Sequence, residues 1–165
     1  MLQRIDRLFE ESEILIKKIE LKFFSGKSVI KQAFPTASFV SDGFGILLMH
    51  TKNGFIGIGE PSPYGGSIGN IKYAVTKINN KLKNQTLNDA WLINSDANKS
   101  FSCGYGELSD QAVVAAISQC CIDILGKQLN IPAYKIFNSE SNGILSAYAS
   151  GGMIYDDQSL DFYLK

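Results

Sequence analysis

Apolar residues along this chain follow two successive periods, alternation first and helical spacing afterwards. Ile14 and Ile16, then Ile19, Leu21 and Phe23, alternate as a half-buried strand does, with an irregularity expected near Lys17-Lys18. Gly45 to Thr51 reads as a second strand and Phe55 to Gly59 as its return. Asn53-Gly54 lies between them, the strongest short hairpin signal available. These segments predict a three-stranded antiparallel meander. Ahead of it, Leu2, Ile5, Leu8 and Phe9 sit at helical spacing in a charged stretch and predict a short helical extension. Residues 25–37 read as a loop, with Gly26 and Pro35 as breakers and Phe34 as its one aromatic side chain.

From Ile68 the period changes. Ile68, Ile71, Val75, Ile78 and Leu82 recur every third or fourth residue, with Ser67 placed to cap the helix they predict. Leu87 to Ile93 reads as a short second helix, and 94–107 as a loop. Ser109 is placed to cap a third helix whose stripe is Val113, Ile117, Cys120, Cys121 and Ile124. It should stop near Asn130, because Pro132 cannot continue it. Ala133 to Phe137 makes about one more turn. Leu145 to Ser150 is strand-like, Gly151-Gly152 break it, and 159–165 start a helix with Leu160, Tyr163 and Leu164 on one face. The fold class is therefore α+β, a meander followed by a helical bundle.

Composition narrows the function classes. With 165 residues, 45 % apolar and 19 % charged, a folded core is expected rather than disorder. Sixteen basic and sixteen acidic residues cancel, which removes the electrostatic footprint of a nucleic-acid binder. The N-terminus breaks its apolar residues with charge, so it is no signal peptide, and no continuous apolar run is long enough for a membrane span. Cys103, Cys120 and Cys121 form no C-x-x-C, so reduced thiols in a cytoplasmic protein are expected. His50, the one histidine, has no Asp or Ser partner within reach by sequence. Gly57-x-Gly59-x-x-Ser62 mimics a dinucleotide fingerprint, but Pro61 and Pro63 stand where its helix should begin. Gly65-Gly66-Ser67 reads as ordinary capping. Asp123 calls for an ion pair, with Lys127 one turn on as the simplest partner, and Glu60 for a structural role at a strand end. Gly57 and Gly59 admit a close neighbour against the return strand.

Two segments carry a family resemblance. The hairpin and its sequel, Ile46-Leu47-Leu48-Met49-His50-Thr51-Lys52-Asn53-Gly54-Phe55-Ile56-Gly57-Ile58-Gly59-Glu60-Pro61-Ser62-Pro63, resemble the V-x-T-x-x-G-x-x-G-x-G-E-x-x-P hairpin of the mandelate racemase and muconate-lactonizing branch of the enolase superfamily. The run Ala116 to Phe137 is similar to that branch's A-I-D-x-A-L-W-D-L-x-G-K-x-L-G-x-P-x-Y-x-L-L. Ser118 stands where the pattern has Asp, and Ile122 where it has Trp.

The resemblance implies three regions: an N-terminal extension over 1–13, an enolase-like capping domain over 14–143, and over 144–165 the first strand and start of the first helix of a TIM-type barrel. It implies a Mg²⁺ enzyme of the acid-sugar dehydratase or racemase/cycloisomerase type, which removes the proton alpha to a carboxylate. The carboxylate ligands and the Lys-x-Lys bases of such enzymes belong to later barrel strands, so no catalytic or metal-binding residue, and no bound Mg²⁺, is expected in this chain. The capping loops that close over the barrel mouth correspond to 25–38 and 60–68. Phe34, as an apolar wall, and Tyr64, as a hydroxyl-bearing ring, are the candidate residues against a small carboxylate substrate. The competing reading has Phe34 anchoring its own loop and Tyr64 at the surface. An unpaired strand at 145–150 invites pairing with another copy, hence a homo-oligomer. The alternative is a non-catalytic truncated product that acts, if at all, through self-association.

Overall fold

The computed structural model describes residues 2–25, 32–34, 37–39, 43–62, 68–96, 108–148 and 154–155. The chain divides into two compact units. The first joins Met1–Lys22 to Gly45–Gly143, and the second joins Phe23–Phe44 to Ile144–Lys165.

The first unit holds the core. Its sheet has the order β1 (Ile16–Ser25), β4 (Gly43–Thr51), β5 (Ile56–Gly59), with the far ends of β1 and β4 belonging to the second unit. β4 and β5 pair antiparallel, Leu47 opposite Gly59 and His50 opposite Ile56. The hairpin closes by Thr51 N–H donating to Phe55 O at 2.9 Å, and Gly54 takes the positive φ (94°) that its turn requires. In β1 the phase does shift. Ile14, Ile16 and Ile19 are all buried, although strict alternation would turn Ile19 outward. The outer edge follows the shift: Ile16 N–H donates to Gln85 O, and Ile19 N–H to Asn79 Oδ1 at 2.6 Å.

Helices cover one face of the sheet. α2 (Ile68–Leu82) buries Ile71, Val75, Ile78 and Leu82 of the expected stripe and Ala74 beside them, with Ile68 partly buried; Ser67, its expected cap, lies outside the described residues. α3 (Leu87–Asp96) is started by Thr86, whose hydroxyl accepts from Asp89 N–H while Asp89 Oδ2 accepts from Thr86 N–H at 2.8 Å. That reciprocal pair is a capping box. α4 (Leu108–Leu129) begins one residue earlier than its expected cap, so Ser109 is a buried residue of the first turn. It ends as expected: Asn130 is left-handed (φ 53°), Ile131 N–H returns to Gly126 O, and Pro132 leads into α5 (Ala133–Phe137). By length and composition Ser109–Leu129 is apolar enough to cross a membrane, contrary to the expectation of no such segment. Of its most apolar 18-residue stretch 56 % is buried, and the helix packs in this unit against β5, α2 and α3, as a core helix does.

α1 (Leu2–Glu10) joins the same core. Ile5 and Phe9 are fully buried, Phe9 stacks on Trp91 with centroids 4.5 Å apart, and the Trp91 indole N–H donates to Asp6 Oδ1 at 2.9 Å.

The second unit corrects two expectations. The segment read as a loop over 25–37 contains β2 (Gln32–Phe34), paired antiparallel with β3 (Ala37–Phe39), so that Phe34 stands opposite Ala37. Three-residue strands are too short to show alternation, and Pro35 between them reads as a breaker. The strand expected over 145–150 is not formed at 144–148, where the backbone is irregular and Leu145 and Tyr148 are 85 % and 90 % exposed. The strand near this end is β6 (Ile154–Tyr155), which pairs with Gln32 and Ala33 of its own chain. The helix expected from 159 onward lies outside the described residues.

Candidate functional site

Of the two residues proposed to face a substrate, Phe34 lies on β2 in the second unit and Tyr64 lies outside the described residues. The root of the second loop is described, through Glu60, Pro61 and Ser62. It is fixed by α4. Glu60 N–H donates to Gln119 Oε1 at 2.8 Å, Ile58 N–H to Asp123 Oδ2 at 3.0 Å, and Lys127 Nζ donates to Ile56 O at 2.6 Å and to Asp123 Oδ2 at 2.7 Å. The expected Asp123–Lys127 ion pair is thus present, and it also binds strand backbone. Gly57 and Gly59 permit the approach. A Cβ on Gly59 would lie 2.1 Å from Ala116 O, and one on Gly57 2.5 Å from Cys120 O.

On the solvent side of α4 a largely apolar concavity of about 410 Å³ is lined by Trp91, Ile122, Ala133 and Phe137 together with Ser118, Gln119 and Asp123. Ser118 and Ile122, the two departures from the family pattern, both stand on this wall. A second concavity of similar size adjoins it along Gly126, Asn130 and Pro132. Neither follows from the spacing of the sequence, because the first is made where α3, α4 and α5 meet and the second where the end of α4 turns into α5.

Glu20 and His50 form a structural pair. Glu20 accepts from Lys18, and lies 3.2 Å from His50 Nε2 across the β1–β4 pair. The hydrogen bond from Lys18 and then that with His50, opposed by desolvation, hold the Glu20 carboxyl below the usual carboxylate range. His50 therefore has an acidic partner that sequence separation concealed. Burial pushes the Cys120 thiol up to about 12 and Cys121 well above its ordinary value, so neither is an activated nucleophile. Among the described residues no three His, Cys, Asp or Glu side chains come together. Those residues do not fit a divalent cation, and no step through one is derived. What the arrangement does is position: a helix holds the last strand of the sheet and the first residues of the loop after it.

No protein-family model matches the chain, and no curated protein matches it. Solved structures do. An enolase-superfamily member from Polaromonas sp. JS666 superposes with a TM-score of 0.64 at 24 % identity, over 75 % of this chain and 33 % of that one. A dipeptide epimerase from Enterococcus faecalis V583, complexed with Mg and the dipeptide L-Leu-L-Tyr, gives 0.61 at 18 % identity, over 74 % and 34 %. A mandelate racemase/muconate lactonizing enzyme from Sulfitobacter sp. gives 0.57 at 17 % identity, over 76 % and 30 %. The chain spans about a third of the length of the structures it matches. The fold this chain carries is that of enolase-superfamily structures, the α+β meander and helical layer of their N-terminal capping domain.

Proposed function

We propose that this chain is the capping and substrate-specificity region of a cytoplasmic, Mg²⁺-dependent enolase-superfamily enzyme. The intact enzyme removes the proton alpha to the carboxylate of a small substrate, as an acid-sugar dehydratase, racemase, epimerase or cycloisomerase. The observation that carries the reading is the superposition of three quarters of this chain on one third of an enolase-superfamily structure. The epimerase bound to Mg and a dipeptide adds a carboxylate substrate and the metal to the reading. In it, 14–143 cap the barrel and 144–165 begin it. Phe34 and Tyr64 face substrate, and the acids, bases and metal ligands come from polypeptide other than this chain.

The test uses the intact gene product and this 165-residue chain side by side. Proton NMR in D₂O follows exchange of the alpha proton across dipeptides, acid sugars and 2-hydroxy acids, with Mg²⁺ and with EDTA. Mg²⁺-dependent exchange by the intact protein and none by this chain is expected. Exchange by this chain alone, or exchange indifferent to EDTA, would sink the reading. Phe34→Ala and Tyr64→Ala in the intact protein should redistribute kcat/KM among substrates; unchanged preference would remove both from the pocket.

A second reading, a non-catalytic product that self-associates, is favoured by one observation. Ile144, Leu145 and Tyr148 present apolar side chains almost wholly to solvent. Sedimentation velocity separates the two: association of this chain that disappears in Leu145→Asp supports the second.

A further inference from the structure

β5 stays in place while burying almost no side chain of its own. Its inward positions are Gly57 and Gly59, and its outward residues Ile56 and Ile58 are 42 % and 53 % exposed. Two glycines also lose more conformational freedom on folding than any other pair of residues would. One edge of β5 is taken by β4. The other would ordinarily present open N–H and C=O groups, a template for any passing strand. Here Ile56 O, Ile58 N–H and Glu60 N–H on that edge are bonded to Lys127, Asp123 and Gln119. The match is geometric. Four residues of helix advance about 6 Å, and two residues of strand about 6.7 Å. One row of α4 therefore keeps step with alternate residues of β5 over three successive contacts, running in opposite senses.

We propose that the Gln119–Asp123–Lys127 row is a latch that stands in for a fourth strand. Its making and breaking, rather than side-chain burial, sets how often β5 and the following Glu60 lift off the sheet. Phe55, packed on the core, and the buried Pro61 are the ends between which the segment opens. The latch is independent of the functional reading above; where that reading holds, it lies at the root of the 60–68 loop and governs its starting position.

Native-state hydrogen exchange on this chain tests the proposal without any assay of activity. The alternation that starts with Thr51 N–H to Phe55 O turns the Met49 and Leu47 amides toward β5. In Asp123→Ala, loss of a charge-assisted acceptor should speed exchange at Ile58 about ten- to a hundredfold. Met49 and Leu47 should accelerate in step with it, while Ile78 in α2 and Ile117 in α4 keep the wild-type rate. Acceleration at Ile58 alone would mean an isolated hydrogen bond, and equal acceleration in the helices a general loss of stability. Either result, or no change, overturns the latch. Gln119→Leu changes an exposed side chain and provides the same readout should Asp123→Ala fail to fold; there Glu60 should lead, with Ile58, Met49 and Leu47 following more weakly.

Discussion

Gly59 and Gly54 are both glycines of one hairpin, yet they are needed for opposite reasons. Gly54 has a φ of 94° and nothing within 4 Å of where a Cβ would stand, so alanine there costs backbone strain alone, about 1–2 kcal/mol. Gly59 has an ordinary strand conformation, but its Cβ would overlap backbone carbonyl Ala116 O, which no rotamer change can relieve. Gly59→Ala should cost at least as much as other overpacking, about 1–3 kcal/mol, and should also open the β5–α4 contact, which Gly54→Ala leaves closed. Urea midpoints rank the two, and exchange at Ile58 separates them; acceleration there in Gly54→Ala but not in Gly59→Ala would contradict the geometry. The two thiols make a pH prediction. Their folded pKa values lie above the ordinary value of 9.0, with Cys120 near 12, so the native state holds protons that the unfolded chain releases. Stability contributed this way is complete below pH 9 and falls as pH rises toward 12. The slope approaches about 1.4 kcal/mol per pH unit for each thiol. Denaturation midpoints from pH 8 to 11 should decline, and Cys120→Ala should flatten the decline by about half.

At the scale of elements, what could be read from sequence depended on where an element's partner lies. The α2 stripe and the Asn53-Gly54 hairpin are local patterns, and both formed where expected, with β4 starting two residues earlier and β5 one residue later than the spacing suggested. Asp123 with Lys127 was visible as an i, i+4 pair, but its strand-edge role was not, since nothing local says that β5 is an edge. The β2–β3 hairpin escaped because three residues hold too little pattern. α1 shows the limit best. Its spacing predicted a helix, whereas its place in the core rests on Trp91, 85 positions away from Asp6. Phe9 is fully buried and stacked on that indole, so Phe9→Ala should cost about 3–5 kcal/mol. Trp91 is the chain's single tryptophan, which makes its emission a direct reporter. Asp6→Ala should shift that emission with a smaller loss of stability, about 1–3 kcal/mol for a hydrogen bond to a charged group. A Phe9→Ala chain that unfolds at the wild-type midpoint would return α1 to the status of a surface appendage.

For the whole molecule, fold class was legible because period 2 and period 3.6 occupy separate stretches of chain, and a sheet so patterned must bury its face under the helices that follow. The candidate pocket was not legible to the same degree. Phe34 was placed by analogy on a loop that proves to be a strand, and the concavity beside Trp91, Ile122 and Phe137 is assembled from three helices. Stability, by contrast, has a clear address. Among the described residues the buried apolar cluster runs from Ile5 to Ile136 and belongs to the first unit, while Ile144, Leu145 and Tyr148 remain exposed. Hydrophobic stabilisation scales with apolar area removed from water, so the part of the chain after Gly143 should contribute little to cooperative unfolding. A chain ending at Gly143 loses the β6 partner of Gln32 and Ala33 but keeps every residue of that cluster. Its urea transition should keep the wild-type midpoint to within about 0.5 kcal/mol, the range of surface changes, with an m-value lower only by the surface removed. A broad transition, or a midpoint displaced by several kcal/mol, would mean that the last 22 residues, counted from Ile144 to Lys165, bury core surface after all.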